Sequence, residues 1–177
     1  MRKEIPLAFA LITTTIFCSA QKNTTRSDEN SLAQTSFFAE LGGPGILFSA
    51  NIDRRFTKSN LGIGGRVGIG FVSGYFGADP NGYDKQSSVA TFPVQLNYVF
   101  GKPTSHHTFE AGLGATFTGK KIWIMDFEDS SSFYMTACFM YRRQPVNGGF
   151  SWRIGFTPIL AKGFIEPSAA VSLGYNF

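Results

Sequence analysis

Cysteine is scarce: only Cys18 and Cys138 occur in 177 residues, so no disulfide framework holds the chain together. Charge is scarce as well. Charged residues make up 16% of the chain, against about 25% in an ordinary soluble domain. The formal net charge is +4, but the basic residues are scattered and form no run of the kind that contacts nucleic acid. Beyond the N-terminal leader no segment approaches the ~18 consecutive apolar residues of a membrane helix. Heptads and collagen-like repeats are missing too. What is present is apolar and aromatic: 43% hydrophobic residues, 19 Phe and 20 Gly. That excludes a disordered chain. Phe, Gly and Thr are poor helix formers, so the composition points to a β protein with much apolar surface.

Residues 1–20 read as a secretory signal. Arg2 and Lys3 precede the apolar stretch Ile5 to Phe17, and Cys18-Ser19-Ala20 supplies a small-residue ending, which places cleavage after Ala20. Lipidation of Cys18 is the alternative, disfavoured by the bulky Phe17 where a small residue is needed. Residues 21–35 are polar and read as a flexible lead-in. Residues 36–177 form the remaining domain.

Across that domain apolar residues recur with period 2. Val171, Leu173, Tyr175 and Phe177 alternate with small or polar residues, as do Phe92, Val94, Leu96, Tyr98 and Phe100. Similar runs cover 61–72, 108–118, 132–143 and 150–160. Helical spacing at i, i+3 and i+4 is missing from these runs. Gly42-Gly43-Pro44-Gly45 is a turn signal that divides 36–56 into two strands, near 36–42 and 46–56. The count becomes eight, an even number that lets an antiparallel sheet close with both termini at one end. Strands of about ten residues suit a tilted bilayer crossing. The connectors alternate: 57–60, 101–106 and 144–148 are short, 73–87 and 119–131 long, and 161–166 intermediate. The expected fold is therefore an all-β, eight-stranded antiparallel up-and-down transmembrane barrel, with short periplasmic turns and longer extracellular loops.

The Gly-Pro-Gly turn leading into Asn-Ile-Asp-Arg-Arg-Phe (51–56), Phe-Pro-Val-Gln-Leu-Asn-Tyr-Val-Phe-Gly-Lys (92–102) and His-Thr-Phe-Glu-Ala-Gly-Leu-Gly (107–114) resemble small bacterial outer-membrane β-barrel proteins. The resemblance covers roughly residues 36–177. It implies the outer membrane of a Gram-negative bacterium as the location. Phe177, with apolar residues at alternate positions before it, is similar to the C-terminal signal read by the barrel-insertion machinery. The resemblance implies no activity.

If the apolar face meets lipid, the other face fills the lumen. It collects the acids Glu40, Asp53 and Glu110 and the bases Arg55, Arg66, Arg142 and Arg153, with Asn51, Gln95, Asn97 and Tyr134. An eight-stranded barrel is just wide enough for its own side chains. Charges of both signs in it are expected to pair and plug it, with Gly62, Gly64, Gly68, Gly70, Gly112 and Gly114 making room for long arginines. A soluble lipocalin-like barrel would put its apolar face inward instead. A second basic set, Arg54, Arg55, Lys58, Lys102, Arg142 and Arg143, is expected at the periplasmic ends, within reach of lipid phosphates.

His106, His107 and Glu110 are the best catalytic candidates. One type of lipid A enzyme pairs His and Ser two residues apart, but here the residue two beyond His106 is Thr108, and two beyond His107 is Phe109. No catalytic set is therefore assigned. The stretch 79–84 lacks calcium-loop spacing, and Gly62-Ile63-Gly64-Gly65 lacks the strand–turn–helix setting of a dinucleotide site. No metal or cofactor is expected. The reading is a non-enzymatic integral outer-membrane barrel, structural or surface-interacting, monomeric, in contact with outer-membrane lipids and lipopolysaccharide and with no nucleic acid. A small channel or lipid-ligand carrier is the alternative, followed by a lipid A-modifying enzyme.

Overall fold

The chain forms ten strand segments: β1 (Thr35–Gly42), β2 (Phe48–Arg55), β3 (Gly62–Ala78), β4 (Asp84–Gly101), β5 (His107–Ile122), β6 (Ser131–Arg143), β7 (Gly149–Phe156), β8 (Ile159–Ala161), β9 (Phe164–Glu166) and β10 (Ala169–Asn176). The computed structural model describes residues 32–78, 84–122, 131–161 and 164–177, with backbone alone at 74–78, 84–87, 161 and 164. The expected signal peptide, residues 21–31 of the lead-in, residues 123–130 of the long connector 119–131 and residues 79–83 lie outside the described residues.

The segments make eight spanning strands, because two of them are broken by proline. Pro158 separates β7 from β8, and Pro167 separates β9 from β10. Proline has no N–H to give to a ladder. Backbone bonds beside the gaps keep the sheet continuous: Thr157 N–H donates to Ser168 O at 2.7 Å and Ala137 N–H to Pro158 O at 3.1 Å. Pro93 acts similarly inside β4. Its pairing with β3 lapses after Val67↔Val94 and resumes in the same register at Gly70↔Thr91.

All neighbours in the sheet are antiparallel, and the β1–β10 and β5–β6 pairings close it into a barrel. Followed from partner to partner, Phe71, Phe48, Leu41, Val171, Ile154, Tyr141, Phe109 and Phe100 trace one path around the wall. The path arrives beside Gly62, near the opposite end of β3 from its start. This stagger is what strand tilt requires for closure. Every residue on the path is aliphatic or aromatic and of outward parity, so the tilt winds a largely apolar stripe around the outside.

Burial is inverted relative to a soluble protein. Leu113, Leu41 and Phe37 are 68%, 62% and 51% exposed, whereas the largest fully buried side chains are Arg66 and Arg153. Aromatic rings pack against each other on the outer wall, as in Phe100–Phe109 (5.9 Å between centroids), Phe117–Phe133 (5.3 Å) and Tyr141–Trp152 (5.3 Å). No α-helix occurs among the described residues.

The strands are longer than the expected ten residues. β3, β4 and β5 have 17, 18 and 16 residues and run into the stretches 73–87 and 119–131 read as loops. Ser73↔Ser88, Gly74↔Ser87 and Tyr75↔Gln86 keep the β3–β4 ladder going there. Ladder bonds need backbone alone, so pairing persists where the apolar alternation has faded. At the N-terminal edge, order also begins before residue 36. Ala33 N–H donates to Val146 O, and Gln34 O accepts from Arg55 N–H.

Candidate functional site

The interior of the barrel holds the chain's concentration of ionisable groups. Period 2 aims Glu40 (β1), Asp53 and Arg55 (β2), Arg66 (β3), Glu110 (β5), Arg142 (β6) and Arg153 (β7) inward, and each is at most 4% exposed. The structure brings all seven together. Arg66 Nη1 donates to Glu40 Oε1 at 3.2 Å and its Nη2 to Glu110 Oε1 at 3.3 Å. Arg142 Nη1 reaches both Asp53 Oδ2 and Glu110 Oε2 at 2.9 Å. Arg153 lies 3.3 Å from Asp53 Oδ2 and 3.5 Å from Glu110 Oε2. Arg55 pairs with Asp53 and donates to Asn97 Oδ1 and, at 2.9 Å, to Gly62 O. Asn97 in turn donates to Glu110 Oε1 at 2.9 Å.

Four arginines face three carboxylates, so the sum of the network is one positive charge. Phe38 meets part of that excess. Its ring lies 3.8 Å from the Arg153 guanidinium carbon and 5.0 Å from that of Arg66. A cation over an aromatic face is attracted by the ring's quadrupole. Phe38, Val99 and Met140 are apolar residues that polarity alternation leaves out of the lumen, yet they are buried there. Parity is the signal that finds them: Phe38 shares it with Glu40, Val99 with Asn97, and Met140 with Arg142.

Beyond the charge layer the lumen is closed by backbone. Gly43–Gly45 forms a single 3₁₀ turn that folds into the barrel, with all three residues buried. Thr91 Oγ1 donates to Gly45 O at 3.0 Å, and Thr116 Oγ1 donates to Pro44 O. The turn depends on positive φ at Gly42 (72°) and Gly43 (68°), a region where a Cβ is strained. Past the turn sits an apolar cluster of Val89, Ile122, Tyr134 and Ile159, with Ile46 and Val72 packed on it. The sequence marks Gly42–Gly45 as a turn; that it points inward depends on pairings far along the chain.

Two expectations need correction. Of the six inward glycines, only Gly64 has an arginine as its nearest neighbour: a Cβ there would sit 2.2 Å from Arg55 Cζ. Gly68 accommodates Asn51, Gly114 lies against Val94 and Gln95, and Gly112 lies against Leu96, Asn97 and Cys138. Gly70 lies against Phe48 and Thr91, and Gly62 against Thr57. Asparagine, glutamine and threonine side chains fill the wall as well as arginine, and the glycines sit wherever neighbouring strands approach closely. Arg55 and Arg142, expected also at the barrel end, are buried in the lumen, leaving Arg54, Lys58, Lys102 and Arg143 at that end.

The catalytic candidates are not brought together. Glu110 is fully buried, while His107, three residues before it on the same strand, lies on the opposite face and bonds through Nδ1 to the Tyr141 hydroxyl. His106 is exposed at the turn. Among the described residues no cluster of His, Cys, Asp or Glu has the arrangement of a metal site.

The closed barrel with charges inside and apolar residues outside is the architecture of eight-stranded outer-membrane barrels. It is similar to the N-terminal β-barrel domain of Pseudomonas aeruginosa OprF, with a TM-score of 0.56 and 12% identity over 84% of this chain and 98% of that one. It is also similar to the Yersinia pestis outer membrane protein Ail in a phospholipid bilayer nanodisc, with a TM-score of 0.50 and 13% identity over 84% of this chain and all of that one. At such identities the likeness is one of fold. No family model and no curated protein matches the sequence.

Proposed function

We propose that the chain is a non-enzymatic integral outer-membrane protein whose barrel acts as a closed structural or surface-interacting element, carrying no solute through its lumen. The observation that carries this reading is the pairing of seven buried charges across the lumen beneath an inward-folded turn. A conducting pore needs a continuous polar path, and here the charges are engaged with each other and the path ends on Pro44, Ile122 and Ile159. The exposed apolar wall supports placement in a bilayer, because a water-soluble barrel reverses the two faces. The outer membrane as the location is supported by the leader-like N-terminus and by the fold shared with Ail, which is an outer membrane protein.

The test is refolding of the urea-denatured chain into preformed phospholipid vesicles, followed by unheated electrophoresis. A compact, heat-modifiable band that appears only with vesicles or detergent is expected. A folded species formed in plain buffer would overturn the membrane reading.

A further inference from the structure

We infer that the outer wall at the turn end of β4, β5 and β6 carries a binding site for one anionic phospholipid, with its phosphate on Lys102, His107 and Arg143 and an acyl chain in the groove beside Ala111 and Ala137. This rests on the membrane reading above.

The headgroup half comes from parity and register. On β4, β5 and β6 the outward series end in Tyr98, Phe100, Lys102; Ala111, Phe109, His107; and Phe139, Tyr141, Arg143. Each strand therefore passes from aromatic to basic as it leaves the apolar wall. His107 is the register partner of Arg143, and Lys102 follows Gly101, the partner of Thr108. The three basic side chains are thus neighbours on adjacent strands. None is paired with an acid among the described residues, whereas every acid in the lumen is paired. Tyr141 holds His107 through Nδ1, which leaves the other ring nitrogen for a second partner. An unpaired basic trio above an aromatic row complements a phosphate at the depth of lipid headgroups.

The chain half lies directly along the same strands. Outward Ala111 and Ala137 are small where their neighbours Tyr98, Leu96, Leu113 and Ile63 are large, and between them runs an apolar depression of about 600 Å³. It opens on the lipid-facing wall, so its occupant is a hydrocarbon chain, and the basic trio beyond the Phe100–Phe109–Tyr141 row selects a chain attached to an anionic headgroup.

The test uses the full chain with Trp123→Phe, so that Trp152, the register partner of Arg143, reports alone. It is refolded in phosphatidylcholine vesicles with increasing fractions of phosphatidylglycerol or phosphatidylcholine brominated on the acyl chain. Brominated phosphatidylglycerol is expected to quench at severalfold lower mole fraction, since each basic side chain near an anionic surface favours it by about fivefold. Lys102→Gln with Arg143→Gln should abolish the preference, and Lys120→Gln with Lys121→Gln should keep it. Ala137→Leu should weaken quenching by both lipids, and soluble glycerol phosphate should not compete. Equal quenching by the two lipids, or a preference that survives Lys102→Gln with Arg143→Gln, overturns the site. Competition by glycerol phosphate alone would overturn the groove's part in it. If the double variant fails to fold, Lys102→Gln, at the exposed turn, gives the same reading at reduced size. Loss of the heat-modifiable band in the parent chain would instead count against the membrane reading.

Discussion

Arg142 Nη1 donates to Asp53 Oδ2 at 2.9 Å across the lumen, tying β6 to β2, two strands that share no edge. The residues are 89 positions apart in sequence. The ladder joins each strand to its neighbours only, so contacts of this kind are what make opposite walls of the barrel cooperate. The same nitrogen also holds Glu110, so one guanidinium gathers β2, β5 and β6.

Placement of the apolar wall gives the first prediction. Leu113 is 68% exposed, in the middle of β5 and of outward parity. Leu113→Arg should destabilise the folded barrel in vesicles by about 2–4 kcal/mol, the cost of a cation at mid-bilayer depth. Urea titration with vesicles present measures it, and an unchanged midpoint would mean that this face does not meet lipid.

Close approach gives the second. At Gly64 a Cβ would lie 2.2 Å from Arg55 Cζ and 2.6 Å from the backbone oxygen of Arg54. The arginine tip is held by Asp53, Asn97 and Gly62 O, and the Arg54 oxygen belongs to the ladder, so neither yields easily. Gly64→Ala should therefore cost about 1–3 kcal/mol, as overpacking does elsewhere. The control is Gly119→Ala, where the nearest atom is 3.8 Å away and little change is expected.

Much of this was legible in the sequence because a barrel has one simple rule. Period 2 puts Glu40, Asp53, Arg66, Glu110, Arg142 and Arg153 on one face, and a single small lumen then forces them to meet. The direction of the Gly42–Gly45 turn was not legible, since its partners Thr91 and Thr116 lie on strands far along the chain. Phe38 is hidden by its polarity, and only its parity with Glu40 places it in the lumen. The lengths of β3, β4 and β5 were underestimated because ladder bonds continue after side-chain alternation has stopped reporting them.

The inward turn gives a third prediction. With Gly43–Gly45 seated on Thr91 and Thr116 and the charge layer beneath, planar-bilayer recordings of the folded chain should show no large, steady conductance. Gly43→Val should disturb that seat, because even a Cβ would fall 2.8 Å from Glu40 Oε1 and 2.9 Å from Ala170 Cβ. A lower unfolding midpoint is the expected outcome. A porin-like open state in the parent chain would contradict the closed lumen.

The most direct test is the unfolding midpoint of Glu110→Gln in vesicles. Glu110 is fully buried and faces Arg66, Arg142 and Arg153 at 3.3, 2.9 and 3.5 Å. Removing its charge leaves four arginines against two carboxylates in a space shielded from water. Breaking such a buried network should cost about 3–5 kcal/mol, whereas a solvent-exposed pair would cost under about 1 kcal/mol. A large drop in the urea midpoint, with heat-modifiability retained at low urea, is the predicted result. A midpoint equal to that of the parent chain would contradict the account, because it would mean that the lumen charges do not hold one another.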